Sequence, residues 1–513
     1  MKTQKMAITF LLTAGLLSGC AVPAAGQVAS AVQTVSTTAA SAVNYEGTKI
    51  TFTNSAITAD STDGLEIDGT SLTITKSGTY LLSGTCANGS VKVKKGTTGV
   101  TLVLQGLSLT CEDTAPLVCG KSTNVTIVAG ANTENTLADT ESNNEETGNT
   151  QAENAVIKCK DGSQVILCGT GSLTIQANAK NGIHSGATTQ EEGEASLTIR
   201  ELTLNIGAAN DAVNAEAALN VESGNLSISA GDDALHCDNT LSIGADNTQG
   251  PTIAISDCNE GLEGAIVNVL SGEVNIVSTD DCINAANSDL SGFDYQLNIS
   301  GGSVTAYTRT GDGFDSNGDI TISGGTVVVW SADTADNSPL DADGTVTISG
   351  GTVLAAGGST GMGLNLSAQQ SCVIFSGSDG EGRMGGGANL VTNGSSFTVS
   401  DSSTLYSGSA LCGASFLLFS SPELADGDSC TLTCGSSETT GQVQSGTVST
   451  GRGSMGGGKI GGNPPEGGQP GREGDDTQKG RPDGGMDGKQ RPEGESFPGR
   501  PDDQSQADSG NSL

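Results

Sequence analysis

Residues 301–354 read GGSVTAYTRTGDGFDSNGDITISGGTVVVWSADTADNSPLDADGTVTISGGTVL. The unit Ile-Ser-Gly-Gly-x-Val occurs three times in and around this stretch, at Ile299–Val304, Ile322–Val327 and Ile348–Val353, so it recurs after 23 and then 26 residues. A period in the twenties marks a stacked repeat rather than a globular core. After the first two copies comes a turn carrying an apolar residue among carboxylates: Asp312-Gly313-Phe314-Asp315, then Pro339-Leu340-Asp341. The expected unit is therefore one coil of an all-β solenoid with an acidic turn.

Aligning the turns on their apolar residue gives Ile183, Val213, Leu235, Leu262, Ile283, Phe314 and Leu340. The uneven spacing predicts coils with variable loops at one corner. Two places before stand Asn181, Asp211, Asp233, Glu260, Asp281, Asp312 and Ser338; one place after stand His184, Asn214, His236, Glu263, Asn284, Asp315 and Asp341. If the apolar residue points inward, strand alternation turns the residue after it outward. Coils about 4.8 Å apart would set carboxylates against one another, repelling by roughly 0.9 kcal/mol per pair in water and roughly 3.5 kcal/mol at an effective dielectric of 20. Such a column needs a counterion, protons or exposure. Calcium fits, because it takes six to eight oxygen ligands in flexible geometry. Three ligand groups follow: Asp312, Asp315 and Asn317 with Asp341 and Asp343; Asp280, Asp281 and Asn284 with Glu260 and Glu263; and Asp232, Asp233 and Asp238 with Asn210, Asp211 and Asn214. The competing reading is that Asp and Asn simply make tight turns. His184 and His236 share one position two coils apart and read as hydrogen-bonding groups.

Composition agrees with thin stacked layers. The 513 residues include 75 Gly, only 3% aromatics and a net charge of −36. That charge excludes nucleic acid, since phosphate binding needs Lys and Arg. It suits a metal ion, a neutral sugar, or an anion reached through bridging cations. Residues 1–20 form an export signal: Lys2 and Lys5, an apolar run from Ile8 to Leu17, then Leu17-Ser18-Gly19-Cys20. This ending matches the bacterial lipobox, so Cys20 is the expected lipidation site and the protein is expected to be anchored to the extracellular face of the membrane. The remaining 12 of 13 cysteines are scattered without a CxxC pair. Two readings stand for them, disulfides in an exported protein or small buried thiols.

Domain boundaries follow composition. After the signal, 21–44 is a tether, 45–138 holds N-terminal coils, 139–153 is an acidic exposed loop and 154–370 holds the coils with acidic turns. Residues 371–446, where strands continue without acidic turns, form a C-terminal β cap against edge pairing, and 447–513 is a disordered Gly/Pro-rich tail. No window of ten residues or more shows a 3.6-residue period, which predicts essentially no helix.

The chain resembles a family of bacterial surface lipoproteins described as carbohydrate-binding domain proteins. Residues carrying the likeness are Ser77–Gly84 (SGTYLLSG), Val103–Leu107 (VLQGL), Glu134–Asp139 (ENTLAD), Gly169–Ile175 (GTGSLTI), Asn181–His184 (NGIH), Asn210–Val213 (NDAV) and the Ile-Ser-Gly-Gly coils. The resemblance implies a right-handed parallel β-helix akin in architecture to pectate lyases, bound Ca2+, and a polysaccharide partner such as cellulose or pectate. Tyr295, Tyr307 and Trp330, the single Trp, are candidate sugar-stacking residues. A non-catalytic binding protein is the expected function. The alternatives are a polysaccharide lyase, which needs a base for which Arg309 is the candidate, and a structural or adhesive surface protein.

Overall fold

The computed structural model describes residues 43–187, 196–287, 294–332, 337–358, 364–377 and 388–450. The expected export signal with Cys20, most of the expected tether and the Gly/Pro-rich tail from residue 451 on lie outside the described residues, whereas 447–450 end the strand Ser437–Thr450.

The chain winds as a three-sided parallel β-helix. One coil shows the pattern: Ser172–Ala177, then Asn181–Ser185 across a short turn, then Ser196–Ile199, after which Thr203–Ala208 starts the next coil. Each strand pairs in parallel with its counterparts one coil away. The three ladders run almost unbroken, the first from Thr48–Phe52 through Gly78–Cys86 to Leu364–Ser376. The second ends at Thr352–Gly357 and the third at Phe314–Ser316. Among the described residues the one helical segment is a 3-10 turn, Glu145–Thr147. Extra residues enter at more than one corner: 140–154 lie between the second and third faces, and 244–251 between the first and second. A corner is exposed wherever it occurs, so any of the three tolerates insertion.

The Ile-Ser-Gly-Gly-x-Val unit now has a physical explanation. Ile299, Ile322 and Ile348 pair in register and point inward, as do Val304, Val327 and Val353. The two glycines between them do different jobs. A Cβ on Gly324 or Gly350 would sit 2.3 Å from the carbonyl oxygen of Ser300 or Ser323 in the preceding coil. Gly302, Gly325 and Gly351 have φ of +76°, +79° and +81°, the left-handed region that Gly enters without a Cβ penalty. The first glycine lets the coils approach and the second turns the corner.

The C-terminal end is closed by antiparallel strands. Phe416–Ser420 pairs with both Thr352–Gly357 and Leu364–Ser376. Ser396–Ser400, Thr404–Ser409, Ser429–Cys434 and Ser437–Thr450 form a second antiparallel sheet. Its apolar residues pack with the outward-facing side chains of the last coils: Trp330, Leu354, Phe397, Val399, Phe419 and Leu432 form one buried cluster, separate from the axial core.

Of the twelve cysteines in the described residues, eleven are buried and Cys434 is half-buried. Cys86, Cys119, Cys159, Cys237, Cys258, Cys282 and Cys372 fill the coil interior as small apolar groups, while Cys412, Cys430 and Cys434 pack in the cap cluster and Cys168 in a small outer one. Burial pushes the thiols of Cys237 and Cys372 up to about 11 and that of Cys258 up to about 12. A thiol reagent at pH 8 is expected to modify Cys434 alone on a measurable timescale in the folded domain, and the buried set only after denaturation. Rapid native labelling of several thiols would contradict this packing.

Candidate functional site

Stacking fixes the column. Ile183, Val213, Leu235, Leu262, Ile283 and Phe314 pair one coil to the next, and Phe314 bridges to Leu340. All seven are buried. The residues after them pair in the same register: His184 with Asn214, Asn214 with His236, His236 with Glu263, Glu263 with Asn284, and Asn284 with Asp315. Asp341 extends the column, its N–H donating to the Phe314 carbonyl at 2.8 Å. Upstream the same position is held by Lys158, Val118 and Lys92.

Turn chemistry accounts for part of the acidic pattern. The Asp211 N–H donates to Asn181 Oδ1 at 3.3 Å, and the Asp233 N–H to Asp211 Oδ1 at 3.3 Å. Farther along, the Asp312 N–H donates to Asp281 Oδ1 at 2.6 Å, and the Ser338 N–H to Asp312 Oδ1. Each such side chain clasps the turn of the next coil with one oxygen. The second oxygens and the column after the apolar residue are left to explain.

Around Asp211 the oxygens are occupied. Asn214 donates to Asp211 Oδ2 at 2.8 Å and Asn210 to Oδ1 at 3.1 Å. His236 faces the coil below, its Nδ1 3.2 Å from Asp233 Oδ2 and in hydrogen-bond contact with Glu263 Oε2, its Nε2 2.9 Å from Asp238 Oδ1. Burial opposes charge on this imidazole, but hydrogen bonds to Asp233, Asp238 and Glu263 outweigh it and hold its pKa far above the usual value. Burial likewise works against the Glu263 carboxylate, and the His236 contact prevails and lowers it. Within the grouping of Asp232, Asp233 and Asp238 with Asn210, Asp211 and Asn214, the side chains are therefore already engaged with one another and with His236. Neutral amides satisfy Asp211, and an imidazole sits where the oxygens converge. Asp232 is merely half-buried beside it.

The lower part of the column is different. Burial, then repulsion from Glu263, pushes Glu260 up to about 8. Burial raises Asp281 to about 7, with Asp315, Asp280 and Asp312 adding repulsion. Asp312 rises to about 7 and Asp315 to about 6, again through burial and then Asp341 among their acidic neighbours. Asp341 is raised by burial and by Asp343. None of the groups acting on these five is a Lys or Arg. Between residues 181 and 370 the sequence holds only Arg200 and Arg309. Arg309 Nη1 lies 2.8 Å from Asp257 Oδ1, and Arg200 3.6 Å from Glu222. Asn284 stands in the middle of the acidic run. Its Nδ2 donates to Glu260 Oε2 at 3.0 Å, while its Oδ1 is buried without a hydrogen-bond donor. An orphaned buried acceptor costs about 1–3 kcal/mol, and here it is flanked in register by Glu263 and Asp315. The donor set is all oxygen, so it fits a hard cation. Asp280, Asn317 and Asp343 are exposed at the rim, where Asp280 and Asp343 act on the cluster by charge.

The aromatic candidates separate. Trp330 is 1% exposed and stacks edge-on against Phe397 with ring centroids 5.8 Å apart, so it has no face for a sugar. Strand alternation does turn it outward, as the sequence implies, but the second cap sheet covers that face. Tyr307 is half-buried against the same cluster. The Tyr295 hydroxyl donates to the Asn287 carbonyl at 2.7 Å. His236 is the hydrogen-bonding group the sequence reading expects, with Asp233, Asp238 and Glu263 as its partners.

A family model described as carbohydrate-binding domain-containing protein matches residues 68–361, more than half of the chain. The chain belongs to this family. The matched span contains the whole acidic column. A carbohydrate-binding domain-containing protein of Acetivibrio thermocellus is 35% identical over 136 residues, which is 26% of this chain and 47% of that relative. The similarity thus spans about half the relative's length. Among solved structures, a polysaccharide lyase-like protein from C. thermocellum is 23% identical with a TM-score of 0.36, and the alignment covers 59% of this chain and 97% of that chain.

Proposed function

We propose that this protein is a non-catalytic, calcium-dependent polysaccharide-binding lipoprotein, anchored through Cys20 on the extracellular face of the membrane. The observation that carries the calcium part is the Asn284 Oδ1 atom, buried without a donor in a run of carboxylates that no Lys or Arg neutralises. Glu260, Asp281, Asn284, Asp312, Asp315 and Asp341 are the residues that would hold the ion. Calcium would supply a positive bridge to carboxylates or hydroxyls of the glycan. The chain's own contribution is placement. The ladder fixes the oxygens at coil spacing, and the turn clasps of Asp281 and Asp312 hold one oxygen of each in position. The family assignment supports the sugar part. Cellulose or pectate is the ligand class we favour: the carboxylates of pectate would share calcium with an acidic protein, and the hydroxyls of cellulose would coordinate it directly. A lyase reading has less support, since the base candidate Arg309 is paired with Asp257.

The test is retention on insoluble cellulose and on polygalacturonate gel. With millimolar calcium the domain is expected to be retained on one of them. EDTA, or Asp315→Asn combined with Asn284→Leu, is expected to lower retention at least tenfold, about 1.4 kcal/mol. Retention indifferent to chelation would sink the calcium bridge. Unsaturated products released from pectate would reinstate a lyase.

A further inference from the structure

One cluster outside the calcium cradle has a different donor chemistry. Asp233, His236 and Glu263 converge, each offering one ligand atom, and these atoms all lie within 4.8 Å of one another. Two successive coils supply them, since His236 and Glu263 are register partners. We propose that these three side chains bind a divalent transition metal of the zinc class, with Asp238 as the positioning residue for the imidazole.

Three features point to a nitrogen-liganded metal rather than a simple ion pair. First, both ring nitrogens are committed. Nε2 lies 2.9 Å from Asp238 Oδ1, so a metal that displaced the Nδ1 proton would leave the remaining ring proton on Nε2 against that carboxylate. A carboxylate on the remote nitrogen is the usual support of a metal-bound histidine. Second, two carboxylate oxygens approach the same Nδ1. If Nδ1 is protonated instead, its single N–H cannot point at both. A divalent cation in that place contacts all three donors. Bonds of about 2.0–2.2 Å in a tetrahedral shell set neighbouring ligand atoms roughly 3.3 Å apart, close to the 3.2 Å between Nδ1 and Asp233 Oδ2, whereas Glu263 Oε2, now in direct contact with Nδ1, would have to swing outward to join the shell. Third, carboxyl groups outnumber cationic partners here. Asp233, Asp238 and Glu263 face one imidazole, and the Arg residues of this region pair elsewhere. The side chains of Asp233, His236 and Glu263 are 12%, 21% and 17% exposed, enough for an ion to enter and keep a water ligand. An imidazole ligand favours zinc-like ions, whereas calcium takes oxygen. The inference is independent of the carbohydrate reading.

The chain has only two histidines, so imidazole NMR reads the site directly. Zn2+ is titrated into the full chain without a histidine tag, with millimolar calcium present to saturate oxygen sites. The His236 ring signals are expected to move at about one equivalent and those of His184 to stay. In calorimetry His236→Asn is expected to weaken zinc binding at least tenfold, and His184→Asn to leave it unchanged. His236 signals that ignore zinc would overturn the proposal, as would a folded His236→Asn variant that binds zinc as tightly as the unaltered chain. The NMR measurement on the unaltered chain does not depend on any variant folding.

Discussion

Stripped of calcium, the domain is expected to become less stable as pH rises from 5 to 8. The sign follows from the acidic column. Glu260, Asp281, Asp312 and Asp315 titrate in the folded state at about 8, 7, 7 and 6, against about 3.9–4.3 for unfolded Asp and Glu. A carboxyl raised on folding binds its proton more tightly in the native state. Its contribution is complete below about pH 4 and is lost as pH climbs through the folded value. Carboxylates lowered on folding, Glu263, Glu216 and Asp161, act the opposite way and erode stability below about pH 4.5. The metal-free domain should therefore be most stable near about pH 5. One pKa unit corresponds to about 1.4 kcal/mol. Discounted for coupling and solvent screening, the cluster contributes on the order of 4 kcal/mol over this range, a fall in Tm of about 5–10 °C. Calcium at a hundredfold excess over its Kd should return about 2.7 kcal/mol per site at pH 8. Thermal melts in EDTA and in calcium at pH 5, 6.5 and 8 check both statements. A flat metal-free profile, or calcium without effect at pH 8, would refute the cradle.

Trp330→Ala should destabilise the C-terminal end by about 3–5 kcal/mol, the cost of emptying a buried aromatic site. Trp330 joins the outer face of the last coils to the second cap sheet through Phe397. Without it the cap loses its largest fully buried side chain. Trp330→Phe is the informative partner. It loses volume, but it also removes an indole N–H that is buried without an acceptor, so its cost should stay below about 1.5 kcal/mol. As the only Trp, residue 330 also reports on itself. Its native emission should be blue-shifted, unchanged by polysaccharide, and should move red only when the cap opens. A quench or shift on adding glycan would return Trp330 to the binding surface.

The period of the chain was legible because it is written in apolar residues. Ile299, Ile322 and Ile348 had to stack, and the series from Ile183 to Leu340 marked the register of the third face before any coordinates. The acidic column followed by alternation alone. What alternation cannot report is what lies outside the helix. Trp330 was a candidate for sugar stacking, but a sheet that begins at Ser396 covers it. The difference between Asp211 and Asp315 was hidden for a similar reason. Both are acidic turn residues, yet one is enclosed by Asn210 and Asn214 and the other by carboxylates. Sequence spacing gave the column, and the identity of cross-coil neighbours decides what each member does.

The position that holds Asp315 and Asp341 is held by Lys92 and Lys158 in earlier coils, with His184, Asn214, His236, Glu263 and Asn284 between. At coil spacing this is a strip about 40 Å long that runs from cationic to anionic. Such a strip behaves like a compass needle. A uniform strip would look the same to a filament in either sense, whereas this one presents different charge at its two ends.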